Sequence, residues 1–228
     1  NMQASQTYFA GRNFSTWRRL STQHAAMQQA RQLLGKSDQI RLSRLLRAAP
    51  SVRAAPDEVL SVEAAREAGV KRVIFGSSGA TQMQYESDEP IKAMVEARWD
   101  DVPSPRPILT PQDAPRPNGI YGAAKLWGEA LGRYYSDAHG MSVICVRIGR
   151  VVKEDWPYDA RHAAVYCSHR DVIQMIEKCV SAPESVRFDL FYAVSNNRGR
   201  YRDIDHSRIV IGFVPEDGIP EWPMERPG

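Results

Sequence analysis

Apolar and polar positions fall into a regular order only from about residue 57 onward. Lys71 to Phe75 carries the consecutive apolar run Val73-Ile74-Phe75, which predicts a short strand covered on both faces in a parallel sheet. Ahead of it the pattern predicts a helix from Asp57, a capping residue, to about Ala68, with Gly69 as its stop. Ala123, Trp127, Leu131 and Tyr134 recur at three- and four-residue spacing, so Tyr121 to Ala138 reads as an amphipathic helix ended by Gly140. Ser142 to Val146, almost wholly apolar, predicts a second strand. Val172, Ile173, Ile176 and Val180 mark a third helix, from near Ser168 to just before Pro183. Arg187 to Val194 reads as a further strand, with Phe188, Leu190 and Tyr192 alternating with Asp189, Phe191 and Ala193. This alternation of helix and strand predicts an α/β fold with a Rossmann-like, mainly parallel sheet.

Two stretches depart from that rhythm. Ser77 to Asn118 is long and polar, with seven prolines, and only a short helix around Ile91–Arg98 is expected to interrupt it. A loop of this length inside a compact domain is usually functional. Residues 1–55 are rich in Gln, Ser, Ala and Arg, with helical stretches plausible only around 21–34 and 39–48 before Pro50 and Pro56 break the pattern. The division expected is therefore a basic segment, 1–55, followed by an α/β domain, 56–228, whose C-terminal part forms a small substrate-binding region.

Composition narrows the function class. Apolar residues at 43% and charged residues at 25% suit a globular chain, and no stretch approaches the roughly 20 consecutive apolar residues of a membrane span. The N-terminus lacks a basic start followed by an apolar run, so no secretory signal is expected. Cys145, Cys167 and Cys179 are too few and too scattered for a disulfide framework or a zinc site, which points to reduced thiols and a cytoplasmic protein. Residues 1–55 hold nine Lys or Arg against the single acid Asp38, a net +8 within a chain of net +3, so the remainder carries −5. Either the basic segment is a solvated face packing on the acidic remainder, or it is an arm for an anionic partner. Few aromatics are interleaved with its charges, so nucleic acid is not the expected partner.

The chemistry centres on Tyr121-Gly-Ala-Ala-Lys125. Positions i and i+4 share a helix face, so the ammonium can approach the phenol, favour its ionised form and lower its pKa. Such a phenol can exchange a proton with a substrate hydroxyl. A helix-start tyrosine and a solvated lysine would give the same spacing. Gly76-Ser77-Ser78-Gly79-Ala80 follows a predicted strand directly, where open parallel sheets bind ligands at the carboxyl ends of their strands. A serine there can bond the reacting oxygen, although a polar turn explains Ser and Gly equally well.

With these residues in view, the chain resembles the NAD-dependent epimerase/dehydratase branch of the extended short-chain dehydrogenases. Ser77-Ser78, Pro117 to Lys125 and Gly128-Glu129-Ala130 carry the resemblance. Val146 to Gly149, Cys167 to Asp171, Tyr192 to Asn197 and Gly212 to Asp217 follow in the family's order. Within that branch the sequence is most similar to uronate-dehydrogenase-like sugar oxidoreductases, over about residues 57–217. The resemblance implies NAD or NADP as cofactor, a sugar or sugar acid as substrate, and a homodimer, for which Trp127 and Tyr134 suit an interface and a core equally. It implies Tyr121 as catalytic acid/base, and Lys125 as the residue that tunes the phenol and, with Tyr121, holds the nicotinamide ribose. Ser78 would orient the substrate oxygen, with Ser77 as its neighbouring alternative, and Arg161 either binds a substrate carboxylate or is a surface charge.

The sequence departs from that family in places. Gly79-Ala80 follow the serines where such enzymes carry Asn-His, and Arg150 stands where they carry Ser. Residues 1–70 contain no Gly-x-x-Gly-x-x-Gly turn, only the isolated Gly11, Gly35 and Gly69, and no apolar strand is read ahead of any of them. The nucleotide-binding N-terminal half is therefore expected to be incomplete. Two functions follow: an NAD(P)-dependent oxidoreductase or epimerase on sugars, or a catalytically inactive descendant acting as a binding or scaffold protein.

Overall fold

The computed structural model describes residues 7–10 and 57–223. Four strands form one sheet in sequence order, β1 (Thr7–Ala10), β2 (Arg72–Ser78), β3 (Ser142–Ile148) and β4 (Phe188–Ala193), every neighbouring pair parallel. Among the described strands the order never reverses, so the switch point at which open α/β sheets receive their ligands is not among them. The parallel sheet bears out the fold expected from the pattern. β1 corrects one reading: it ends immediately before Gly11, where the sequence offered no recognisable strand, and it lies within the 1–55 segment yet pairs with β2. The expected incompleteness of the nucleotide-binding half, and the helices expected around 21–34 and 39–48, fall outside the described residues.

Both faces of the sheet are covered, which explains its run-like apolar strands. On one face, Val73, Phe75, Val143 and Cys145 pack with Val62 and Ala65 of α1 (Asp57–Glu67) and with Leu131 and Tyr135 of α3 (Ile120–His139). On the other, Ile74, Ile144, Val146 and Phe191 meet Val172, Met175 and Cys179, all from a single later helix, α5 (His169–Val180), and Ile211 of α6 (Asp205–Ile211). Each fully buried Val, Ile or Phe in these clusters contributes roughly 1.5–3 kcal/mol relative to exposure. Gly69 ends α1 at φ +73°, with Val70 N–H donating to Ala65 O and Gly69 N–H to Arg66 O. That paired closure needs a left-handed residue, which glycine supplies without strain.

The stretch expected to be a long loop is instead ordered and tethered. Gly79–Ser87 forms 3-10 turns broken at Gln82, Ile91–Val95 forms α2, and Trp99–Asp101 adds another 3-10 turn. Its return limb is pinned by Arg116 N–H to Thr81 O, by Gln84 N–H to Arg116 O, and by Leu109 bridging to Tyr201 and Asp203 through backbone hydrogen bonds. Two short helices escape the sequence reading, α4 (Ala160–Val165) and α6, because neither is long enough to establish a 3.6-residue period. Trp127 and Tyr134 do not join the core: with Ile120 they lie exposed along the outer side of α3. No described helix is long and apolar enough to cross a membrane.

Candidate active site

β2 runs three residues beyond its predicted end, so Gly76, Ser77 and Ser78 are strand residues at its carboxyl edge. Side chains alternate along a strand, and Ser77 continues the face of Val73 and Phe75 toward α3. It is fully buried, and its hydroxyl donates to Glu129 of α3. Ser77 is thus withdrawn into the interior and does not share the position of Ser78. Ser78 sits at the strand's end, where its Oγ accepts the Ala80 N–H at 3.2 Å and so caps the 3-10 turn that follows.

The Ser78 hydroxyl lies near enough to the Tyr121 phenol to act on its pKa, and Tyr121 remains 46% exposed. Tyr121 lies in the first turn of α3, which is pressed onto the backbone of the Ser78 turn. A Cβ at Gly122 would lie 2.4 Å from Ala80 O and 2.9 Å from Pro117 Cβ. Only a glycine beside the tyrosine lets the helix start come this close. One turn on, Lys125 is 5% exposed; its Nζ donates to Gly76 O at 2.8 Å and stands 5.1 Å from the Phe75 ring and 5.8 Å from the Tyr121 ring. Phenol, hydroxyl and ammonium are therefore gathered at one strand end.

The electrostatics differ from the expected ones. Burial pushes the Tyr121 phenol above its ordinary value, and the nearby Ser78 hydroxyl pulls the other way. The net direction is therefore upward rather than the lowering expected from Lys125, whose ammonium donates to the Gly76 carbonyl. A hydroxyl that donates to the oxygen that ionises lowers a phenol's pKa, which is the direction of the Ser78 effect.

Arg161, the candidate for a substrate carboxylate, is already engaged. It lies in the first turn of α4, and its Nε and Nη2 both donate to the Glu86 carboxylate, the second at 3.3 Å. The Glu86 side chain is only 8% exposed, against 38% for Arg161. Glu86 also accepts the Tyr201 hydroxyl, and Arg202 Nη2 lies 3.9 Å from it. Arg202, 2% exposed, donates from the same Nη2 to Gly79 O at 3.1 Å and to Tyr201 Oη at 2.9 Å. This cluster touches the residue next to Ser78, so it borders the Tyr121 site.

Sequence reasoning missed Glu86, Arg202 and the role of Glu129. Glu129 was detectable, since Tyr121, Lys125 and Glu129 continue one four-residue spacing along α3. Glu86 and Arg202 were not, because 115 residues separate Glu86 from Tyr201 and only the fold brings them together.

The family model described as "NAD dependent epimerase/dehydratase family" matches residues 58–165. The chain is 34% identical over 166 residues to an NAD-dependent glucose-6-phosphate dehydrogenase of Haloferax volcanii, covering 72% of this chain and 60% of that protein. It is 30% identical over 193 residues to an L-arabinose 1-dehydrogenase (NAD(P)(+)) of the same organism, covering 75% of this chain and 72% of that one. Among solved structures, a variant of uronate dehydrogenase from Agrobacterium tumefaciens in complex with NAD superposes at a TM-score of 0.57 with 28% identity, covering 71% of this chain and 52% of that one. The chain thus spans between about half and three quarters of the lengths of these relatives.

Proposed function

Since the chain belongs to the NAD-dependent epimerase/dehydratase family, we propose that it is an NAD(P)-dependent oxidoreductase acting on a sugar or sugar acid, with Tyr121 as the acid/base. The observation that carries this reading is the placement of Tyr121 against the Ser78 turn at a parallel strand's carboxyl end, beside the buried ammonium of Lys125. A phenol half open to solvent with a hydroxyl beside it suits a group that must meet a substrate oxygen and exchange a proton with it.

Each residue has a task in this proposal. Tyr121 takes the proton of the hydroxyl being oxidised, and Ser78 orients that oxygen. Lys125, held by Gly76 O, keeps a positive charge beside the phenol as it ionises, and with Tyr121 it would hold the ribose of NAD or NADP. The bound nicotinamide would supply the two-electron acceptor. The residues present fit that role: a buried ammonium and a half-exposed phenol offer donors to ribose hydroxyls at the strand edge. The same proposal includes a homodimer built on the exposed side of α3, with Ile120, Trp127 and Tyr134 in the contact. A monomer at micromolar concentration in sedimentation equilibrium would remove that part.

The test is calorimetric titration with NADH and NADPH, followed by a screen of aldoses and sugar acids for nicotinamide reduction. Saturable one-to-one binding with turnover supports the enzyme. Failure of both nucleotides to bind would leave the scaffold function in its place.

A further inference from the structure

Glu86 has a chemical consequence for the substrate. Its carboxylate is withdrawn from solvent, yet it receives the Nε–Nη2 edge of the Arg161 guanidinium and the Tyr201 hydroxyl, with Arg202 within 3.9 Å. A planar guanidinium binds one carboxylate bidentately at a given edge. Arg161 already has that partner within its own chain.

The cluster also abuts the proposed reaction site. Arg202 Nη2 reaches Gly79 O, one residue beyond Ser78, and a Cβ at position 79 would lie 2.4 Å from Arg202 Cζ. Glycine at 79 is therefore what admits the guanidinium, and with it the Glu86 cluster, beside Ser78. A substrate bonded to Ser78 and Tyr121 lies against this wall. An acidic sugar would have to displace Glu86 from that edge of Arg161 or bind an arginine whose charge Glu86 already offsets, and either weakens its hold. A hydroxyl or hydroxymethyl group meets neither obstacle and can accept from Arg161, which stays 38% exposed while paired.

Resting on the oxidoreductase reading above, we infer that Glu86 is a specificity-determining residue, a resident carboxylate that occupies Arg161 and selects neutral aldoses over the matching uronates. Glu86 touches neither reacting atom; it acts by holding Arg161 and by its own charge.

The experiment compares two matched pairs, glucose with glucuronate and galactose with galacturonate, for wild type and Glu86→Gln. It reads both kcat/KM with NAD and direct sugar binding by saturation-transfer NMR. In wild type the aldose is expected to exceed its uronate at least tenfold in both readouts. Glu86→Gln is expected to narrow that ratio at least tenfold, through a gain for the uronate. A wild-type preference for the uronate, or an unchanged ratio in the variant, overturns the inference and leaves the oxidoreductase standing. Should no sugar be oxidised, the oxidoreductase reading fails, and the NMR ratio still decides the inference: absence of aldose binding, or tighter uronate binding, overturns it. Should Glu86→Gln unfold by circular dichroism, the wild-type ratios alone decide.

Discussion

Glu129 and Arg147 form a buried bidentate ion pair, Nε to Oε1 at 2.9 Å and Nη2 to Oε2 at 2.8 Å, with side chains 7% and 3% exposed. Ser77, Arg147 and Tyr192 stand side by side in register on β2, β3 and β4, and Glu129 reaches down on that row from α3. Arg147 also donates to Tyr192 Oη at 3.3 Å, and Tyr192 in turn donates to Gln82 of the long ordered stretch. The pair thus locks α3 over the sheet two turns, about 12 Å, along from Tyr121. A slide of that helix would carry Tyr121 away from Ser78.

Removing one member of this pair leaves its partner charged and buried. Glu129→Ala is expected to cost about 3–5 kcal/mol of unfolding free energy, measured by urea denaturation. Replacing both members, Glu129→Leu with Arg147→Met, is expected to recover most of the loss. A single-variant cost under about 1 kcal/mol would show that the pair does not anchor the helix.

Tyr121→Phe keeps the ring and removes the proton-exchanging oxygen. Turnover is expected to fall by about 100- to 10,000-fold, the usual scale of a lost acid/base group, while NADH affinity stays within about threefold. Stopped-flow nicotinamide fluorescence and calorimetry separate the two effects, and retained turnover would remove Tyr121 from the mechanism.

Because burial raises the Tyr121 pKa, the deprotonated phenol is reached only as pH rises beyond the ordinary tyrosine range, and activity in the oxidative direction should climb with alkalinity. Ser78 opposes that shift, so Ser78→Ala should move the titration higher still. NMR of ring-labelled tyrosine reads this directly. A downward move in the variant would contradict the effect given to Ser78.

Gly122→Ala places a Cβ against the Ala80 carbonyl, a backbone atom unable to swing aside. The helix start must retreat from the Ser78 turn, at a cost of about 1–3 kcal/mol, the usual range for overpacking. Thermal denaturation gives that cost, and kcat should fall further than stability alone explains. Unchanged melting and kcat would mean the close approach is dispensable.

Asp217 predicts behaviour in acid. Its hydrogen bonds from Arg170 hold its carboxyl below the ordinary 3.8, against the opposing effect of burial, with Ser168 assisting. A lowered folded-state pKa means the contribution is complete above the ordinary value and disappears as pH falls through the lowered one. Stability of the wild type should therefore drop below about pH 4, and Asp217→Asn should be less stable at neutral pH with a flatter acid limb. Parallel acid limbs in the two proteins would rule Asp217 out as a source of that loss.

Local pattern by itself determined the parallel α/β architecture, the main helices and strands from residue 57, and the pairing of Tyr121 with Lys125. Those features depend on spacing: a consecutive apolar run is buried on both faces, and residues four apart share a helix face. The Ser77-Ser78 dipeptide was legible as a site, yet only the extension of β2 separated its members, because one step along a strand turns a side chain to the opposite face. β1 escaped notice because four residues are too few to set a pattern and only backbone pairing with β2 defines it. The fate of Arg161 was decided wholly by tertiary structure. Spacing shows that an arginine is present, but whether its charge is free depends on a carboxylate 75 residues away that folding brings against it.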